Sequence, residues 1–293
     1  MNSIGSRIQD YLSLVRFSHT VFAMPFALLG YFTAINTESN YFTWRLLILI
    51  LLCMIFARNA AMSFNRYADH KFDRLNPRTA SREIPRGIIS RRSALVFVIV
   101  NSILFIAAAG FINRLTMYLS PVALVIILGY SLTKRFTSMS HFILGLALSL
   151  APVGAYISVT GRFDIVPVLY SLAVLCWVSG FDIIYSLQDS EFDMNNRLLS
   201  IPVSLGIKQS LILSAFSHLL SIVLVIVSGL LSGAGLLYWL GTAAFSVMLV
   251  YEHIIVKPDD MVSITKAFGT INSYAGVLFC AFAIADLYLK LAI

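Results

Sequence analysis

Charge is scarce in this chain of 293 residues. Asp, Glu, Lys and Arg together make up 12% of it, about half the roughly 25% of an ordinary soluble domain. A water-soluble globular protein is thereby excluded. Cysteine is nearly absent: Cys53, Cys176 and Cys280 lie far apart in apolar stretches, so neither a disulfide framework nor a C-x-x-C metal pair can be built from them. They read as packing residues. Solvated low-complexity segments are missing too, since 59% of the residues are hydrophobic, 21 are Phe and 13 are Tyr, and the mean hydropathy is +0.85; intrinsic disorder is excluded. No stretch alternates with period two over the length of a membrane strand, which excludes a β-barrel.

What is abundant is long apolar sequence. A helix needs about 20 mostly apolar residues to cross a bilayer, and nine such segments are predicted, at about 17–36, 44–63, 93–112, 115–132, 141–160, 166–187, 210–231, 234–255 and 268–289. The fold class that follows is all-α: a polytopic membrane protein, a bundle of nine transmembrane helices forming one domain over residues 1–293. The first segment is longer than a signal-peptide core and is read as retained. With alternating helices, one side of the membrane receives 16 Lys and Arg and the other 4. The basic side is expected to be cytoplasmic, with the N-terminus inside. Topology therefore accounts for the net charge of +7, and no soluble basic face remains for a nucleic acid.

The 14 carboxylates are not scattered. Six fall in two stretches, each at the cytoplasmic end of an apolar segment. The first reads Asn65-Arg-Tyr-Ala-Asp69-His-Lys-Phe-Asp73; the second reads Asp182-Ile-Ile-Tyr185-Ser-Leu-Gln-Asp189-Ser-Glu-Phe-Asp193. Steps of three and four place side chains on one helical face, so each stretch presents a polar stripe. Crowded like charges near a membrane are expensive unless a cation neutralises them, and a hard oxygen-seeking ion such as Mg²⁺, which binds through one or two carboxylates plus substrate phosphates, fits both stripes. The alternative for either stripe alone is a solvated helix end.

Two predicted cytoplasmic cap loops, about 64–92 and 188–209, surround the stripes. The first holds Arg74, Arg78, Arg82, Arg86, Arg91 and Arg92, and Lys134 with Arg135 closes the fourth segment. Guanidinium forks suit phosphate oxygens, although positive-inside loops are basic whatever their task. Arg58 is the one basic residue predicted within the body of a span. It lies two turns before Asn65, about 10 Å deeper on the same face, and its expected partner is Asp182 or the carboxylate of a substrate. The five histidines share no ligand spacing and are not read as metal ligands; His70, one residue off the face of the first stripe, reads as a surface residue.

Taken jointly, these residues resemble the UbiA superfamily of intramembrane aromatic prenyltransferases. The two acidic stretches resemble its two aspartate-rich motifs, Arg58-Asn-Ala-Ala-Met-Ser-Phe-Asn65 resembles its approach to the first motif, Arg78-Thr-Ala-Ser-Arg82 its basic loop, and Tyr130 through Arg135 the end of its fourth helix. The resemblance implies a central lipid-accessible cavity in which Asn65, Asp69, Asp73, Asp182, Asp189 and Asp193 hold Mg²⁺ against a polyprenyl diphosphate. Arg58, Arg78, Arg82, Lys134, Arg135, Tyr185 and Arg16 then contact the diphosphate or the acceptor. The implied reaction transfers a polyprenyl group to the ring of a hydroxylated aromatic acid of the 4-hydroxybenzoate type, in respiratory quinone synthesis, at the cytoplasmic face of a prokaryotic plasma membrane. One departure leaves the acceptor open. Arg82-Glu83-Ile84-Pro85 stands where 4-hydroxybenzoate enzymes often have Arg-Pro, and with Ser18-His19-Thr20-Val21-Phe22 it resembles enzymes prenylating a dihydroxynaphthoate for menaquinone. Two other classes remain as alternatives. An ion-coupled transporter places its carboxylates nearer the bilayer midplane, and a CDP-alcohol phosphatidyltransferase has an Asp-Gly motif that neither stripe shows.

Overall fold

The computed structural model of the chain describes residues 4–15, 22–38 and 42–289, and the regular secondary structure among them is all helical. Arg16 and residues 18–21 lie outside the described part. The helices are α1 (Ile4–Leu14), α2 (Met24–Glu38), α3 (Trp44–Leu75), α4 (Arg91–Gly110), α5 (Arg114–Thr133), α6 (Ser140–Thr160), α7 (Ile165–Ser186), α8 (Ser190–Asn195), α9 (Ile201–Leu205), α10 (Ile207–Leu231), α11 (Leu236–Ile255), α12 (Met261–Lys266) and α13 (Asn272–Leu289). Among the described residues seven helical stretches are long and apolar enough to cross a membrane: α3, α4, α5, α6, α7 continued through α8, α10, and α12 continued through α13. The other two apolar segments fall on α2, with 15 residues, and α11, which carries Glu252 and His253 near its end.

α7 is the most enclosed helix; 14 of its 22 residues are buried, among them Trp177, Ile183 and Ile184. It lies between α6 and α10. Lipid tails are as apolar as leucine, so membrane helices associate through close packing and hydrogen bonds instead of through the hydrophobic effect. Both devices are present. A Cβ on Gly145 of α6 would come within 2.5 Å of the Leu175 carbonyl of α7, so only glycine permits this approach. On α10, Ser210, Ser214, Ser217, Ser221 and Ser228 are buried at helical spacing. Ser214 Oγ donates to the Gly180 carbonyl at 2.7 Å and Ser221 Oγ to the Ala173 carbonyl at 2.8 Å, knitting α10 to α7.

Two local features differ from expectation and both shape the site. The first cap loop does not begin at residue 64. α3 runs on to Leu75, a length of about 48 Å at 1.5 Å per residue, well beyond the roughly 30 Å of hydrocarbon. No Gly or Pro interrupts 64–75. The helix stops where Asn76, extended at φ −84° and ψ 117°, precedes Pro77, because the proline ring disfavours helical backbone in the residue before it. The second stripe is also not one uniform helix. Asp182 sits on α7, Asp189 on a 3₁₀ turn spanning Leu187–Asp189, and Asp193 on α8.

Candidate active site

The polar end of α3, the loop after it, the end of α5 and the junction of α7 with α8 enclose a cavity of about 290 Å³. Asn65, Asp69, Asp73, Asp182, Asp189 and Asp193 all line it, together with Arg58, Arg78, Arg82, Lys134, Arg135 and Tyr185. Residues up to 135 positions apart in the chain are thereby brought to one place.

Each acid has a partner from another segment. Arg78 grips Asp189 with both ends of its guanidinium fork, Nε reaching Oδ1 at 2.9 Å and Nη2 reaching Oδ2. Its Nη1 donates to the Tyr185 hydroxyl at 3.0 Å, and Asn76 Nδ2 donates to Asp189 Oδ1 at 3.0 Å. Arg82 Nη1 meets Asp73 Oδ1 at 2.6 Å, Lys134 Nζ meets Asp193 Oδ2 at 2.8 Å, and Arg135 Nη2 meets Asp69 Oδ1 at 3.2 Å. Asn65 Nδ2 donates to the other Asp69 oxygen at 3.1 Å. Burial works against the charge on Arg78, but the Asp189 carboxylate outweighs it and holds the guanidinium pKa above its ordinary value. Lys134 follows the same logic: desolvation weakens its ammonium, and Asp193, with Asp189 and Asp182 nearby, raises it again above the usual lysine value.

Asp182 is the exception in kind. Its Oδ2 lies 2.7 Å from His141 Nδ1, and the Ile201 amide donates to His141 Nε2 at 3.4 Å. An Nε2 that accepts leaves the ring proton on Nδ1, directed at the carboxylate. His141 is fully buried, and the spacing of the histidines gives no signal of its place beside Asp182. Other site residues were missed as well. Arg66, within the range given to the cap loop from sequence, is buried on α3 and lines the cavity. Asn76 and Phe268 were passed over too; the Asn-Pro pair ending α3 signals the first, and nothing local signals the second.

The donor set suits a hard divalent ion. It is all oxygen, it comes from two facing helical segments, and Asp73 Oδ2 is buried without a hydrogen-bond partner. Among the described residues no three His, Cys, Asp or Glu side chains cluster tightly enough to cage an ion. Mg²⁺ needs only one or two carboxylates from a protein and completes its octahedron with water and phosphate.

A second cavity of about 330 Å³ adjoins the first. Its wall is nearly all apolar, running between α3, α5 and α6 past Cys53, Met54, Ile126 and Ala151. Arg58, Met62, Tyr130, Leu144 and Leu148 line both cavities.

Fold and cavities define a class of protein: an integral membrane protein in which a highly charged pocket adjoins an apolar one. Comparison narrows it. The chain belongs to the UbiA prenyltransferase family, whose family model matches residues 23–281, and it is accordingly a prenyltransferase. The transporter and phosphatidyltransferase readings fall with that result. It is 29% identical to a 4-hydroxybenzoate octaprenyltransferase of Aliivibrio fischeri (strain MJ11) over 84% of this chain and 85% of the relative. It is 28% identical to one of Paraburkholderia phytofirmans over 95% and 96%. A UbiA homologue from Aeropyrum pernix K1, solved in its apo form, superposes with a TM-score of 0.79 at 30% identity over 93% of this chain and 98% of that one. A homologue from Archaeoglobus fulgidus, solved bound to GPP and Mg²⁺, shares the fold with a TM-score of 0.70 at 22% identity, over 95% and 99%.

Proposed function

We propose that this chain transfers a polyprenyl group from a polyprenyl diphosphate to a ring carbon of 4-hydroxybenzoate, with Mg²⁺, in the charged cavity. The observation that carries the reading is the shared wall of the two cavities, which suits an amphiphile whose charged head and apolar tail meet near Arg58 and Tyr130. The named relatives support 4-hydroxybenzoate as acceptor, and the dihydroxynaphthoate acceptor finds no support among them. Residues 1–293 act as one domain crossing the inner membrane nine times, with the regions near 64–92 and 188–209 capping the site on the cytoplasmic side; the 16 to 4 division of basic residues supports this orientation.

Asn65, Asp69, Asp73, Asp182, Asp189 and Asp193 would hold the metal, which when bound offsets the negative charge growing on the leaving diphosphate. Arg78, Arg82 and Arg135 offer forks to phosphate oxygens and Lys134 a point charge. Arg16 is proposed to join them. His141 orients Asp182 toward the cavity. Arg58, at the junction, binds the acceptor carboxylate bidentately and so aims the ring at the prenyl C1.

Membranes carrying the chain, incubated with Mg²⁺, a polyprenyl diphosphate and a panel of aromatic acids, are expected to yield prenylated 4-hydroxybenzoate and pyrophosphate. EDTA abolishes both, and added Mg²⁺ restores them. Product from dihydroxynaphthoate alone overturns the acceptor. Arg58→Lys keeps the charge and loses the fork; KM for the acceptor is expected to rise about tenfold with KM for the diphosphate unchanged, as one bidentate hydrogen bond is lost.

A further inference from the structure

Behind the second acidic stretch, three helical segments meet at one amide. Asn272, at the start of α13, is fully buried, and all of its amide is engaged. Its Oδ1 accepts from Trp177 Nε1 of α7 at 2.7 Å; its Nδ2 donates to Glu252 Oε1 of α11 and to the Ala267 carbonyl, each at 2.9 Å. Trp177 lies close enough because residue 276 is glycine, where a Cβ would stand 2.8 Å from the indole ring. Ala267 opens a single π-helical turn, Ala267–Ile271, which joins α12 to α13. Such turns are rare and gather at functional sites.

This turn carries Phe268. Its ring stacks on Tyr185 with centroids 4.1 Å apart and planes 28° from parallel, and it packs edge-on or tilted against Phe181 at 5.4 Å and Phe22 at 5.3 Å. The four rings line the same cavity as Asp182 and Asp189. Aromatic surface thus borders the place where the diphosphate is proposed to leave.

We propose that Phe268 and Tyr185 form the ring face that meets the allylic cation and keeps water from it, and that Asn272 is the positioning residue that holds Phe268 there through the π turn. The proposal rests on the reading of this cavity as the site of prenyl transfer. Cleavage of the bond between the prenyl C1 and the bridging oxygen leaves the electron pair on diphosphate and a cation on the allyl group. Attack by a ring carbon of the acceptor, followed by loss of the ring proton, gives the prenylated acid. Attack by water, followed by loss of a proton, gives a prenyl alcohol. Ring faces attract a cation, and phenylalanine offers it no nucleophile. The oxygen of Tyr185 is engaged by Arg78 Nη1, which draws its lone pair away from the cation.

The test measures the ratio of prenyl alcohol to prenylated acid, with kcat and KM, for detergent-purified protein given Mg²⁺, geranyl diphosphate and 4-hydroxybenzoate. Phe268→Leu keeps apolar volume and removes the ring. It is expected to raise the alcohol share and lower kcat for transfer, each about tenfold, with KM for the diphosphate within about twofold of wild type. Phe268→Tyr restores both. Trp177→Phe deletes the N–H that Asn272 accepts, together with part of the buried indole surface, and shifts the ratio in the same direction by about threefold. Should Phe268→Leu not fold, Phe268→Met takes its place. Wild-type partition and kcat in the ring-less variant overturn the role of Phe268, and a Trp177→Phe protein of lowered unfolding temperature but unshifted ratio overturns that of Asn272. Asp189→Ala runs in parallel. If it is inactive while Phe268→Leu behaves as wild type, this inference alone fails; if it is active, the reading of the cavity fails.

Discussion

The cavity mouth and the cluster around Asn272 both place carboxylates where a membrane protein can ill afford them, and they do so in opposite ways. At the mouth, Asp69, Asp73, Asp189 and Asp193 each face an Arg or Lys from a different segment. All four basic residues remain partly exposed, between 17% and 37%, so under the proposed function they exchange a carboxylate for a phosphate as substrate enters. In the bundle interior Glu252 is fully buried, and its Oε1 is held by an amide. Its other oxygen lies 3.8 Å from His218 Nδ1, while that histidine nitrogen is engaged with His253 Nε2 at 3.0 Å. The first arrangement is built from exchangeable charge pairs and suits chemistry. The second is built from fixed hydrogen bonds and suits geometry: it ties α7, α11 and the π turn together without any ion that could leave.

The sharpest way to break this contrast is to remove an acid from each region. Asp189→Ala or Asp69→Ala at the mouth is expected to lower turnover by about a thousandfold or more, as for loss of a group that neutralises developing charge, while the protein stays folded in the membrane. Glu252→Leu is expected to do the reverse. It strips an acceptor from a buried amide, a loss of about 1–3 kcal/mol, so the unfolding temperature in detergent falls. Glu252→Gln keeps the acceptor and stays near wild type. A stable, active Glu252→Leu protein would remove the structural half of the comparison, and full activity in Asp189→Ala the catalytic half.

The smallest effect concerns Lys134. Its pKa is raised by Asp193, so the pair's contribution to stability is fully present below the ordinary lysine value of about 10.5 and is lost as pH rises through the higher folded value. The side chain is one-third exposed, which limits the contribution to about 1 kcal/mol. Lys134→Met is expected to lower the unfolding temperature slightly at pH 7, with the difference from wild type shrinking above pH 11. A difference that grows with pH contradicts the pairing.

Much of this protein was legible before any coordinates. Hydropathy alone placed the apolar segments that became α2 to α7, α10, α11 and α13, because the requirement to fill about 30 Å of hydrocarbon is written locally, residue by residue. The acidic stripes were legible for the same kind of reason: spacing of four is a property of one helix. Where local reading failed, it failed at a boundary. The span ends by hydropathy at residue 63 and the cap loop is set at about 64–92, although the spacing of the stripe at 65–73 is helical; nothing breaks the helix before Asn76-Pro77, so α3 carries Arg66 and the whole stripe and only the loop boundary moves.

Partner choice was not legible. Asp189 is paired with Arg78 across 111 positions, Asp182 with His141 across 41 and Trp177 with Asn272 across 95. No periodicity encodes separations of that size, since they depend on which helices lie side by side and how far each is rotated. The glycines at 145 and 276 and the serines of α10 settle that by how closely neighbouring backbones can approach. The sequence determined that there would be membrane helices with acids and arginines at one end. Packing decided which arginine meets which acid, that a histidine meets Asp182, and that a phenylalanine on a π turn lines the cavity.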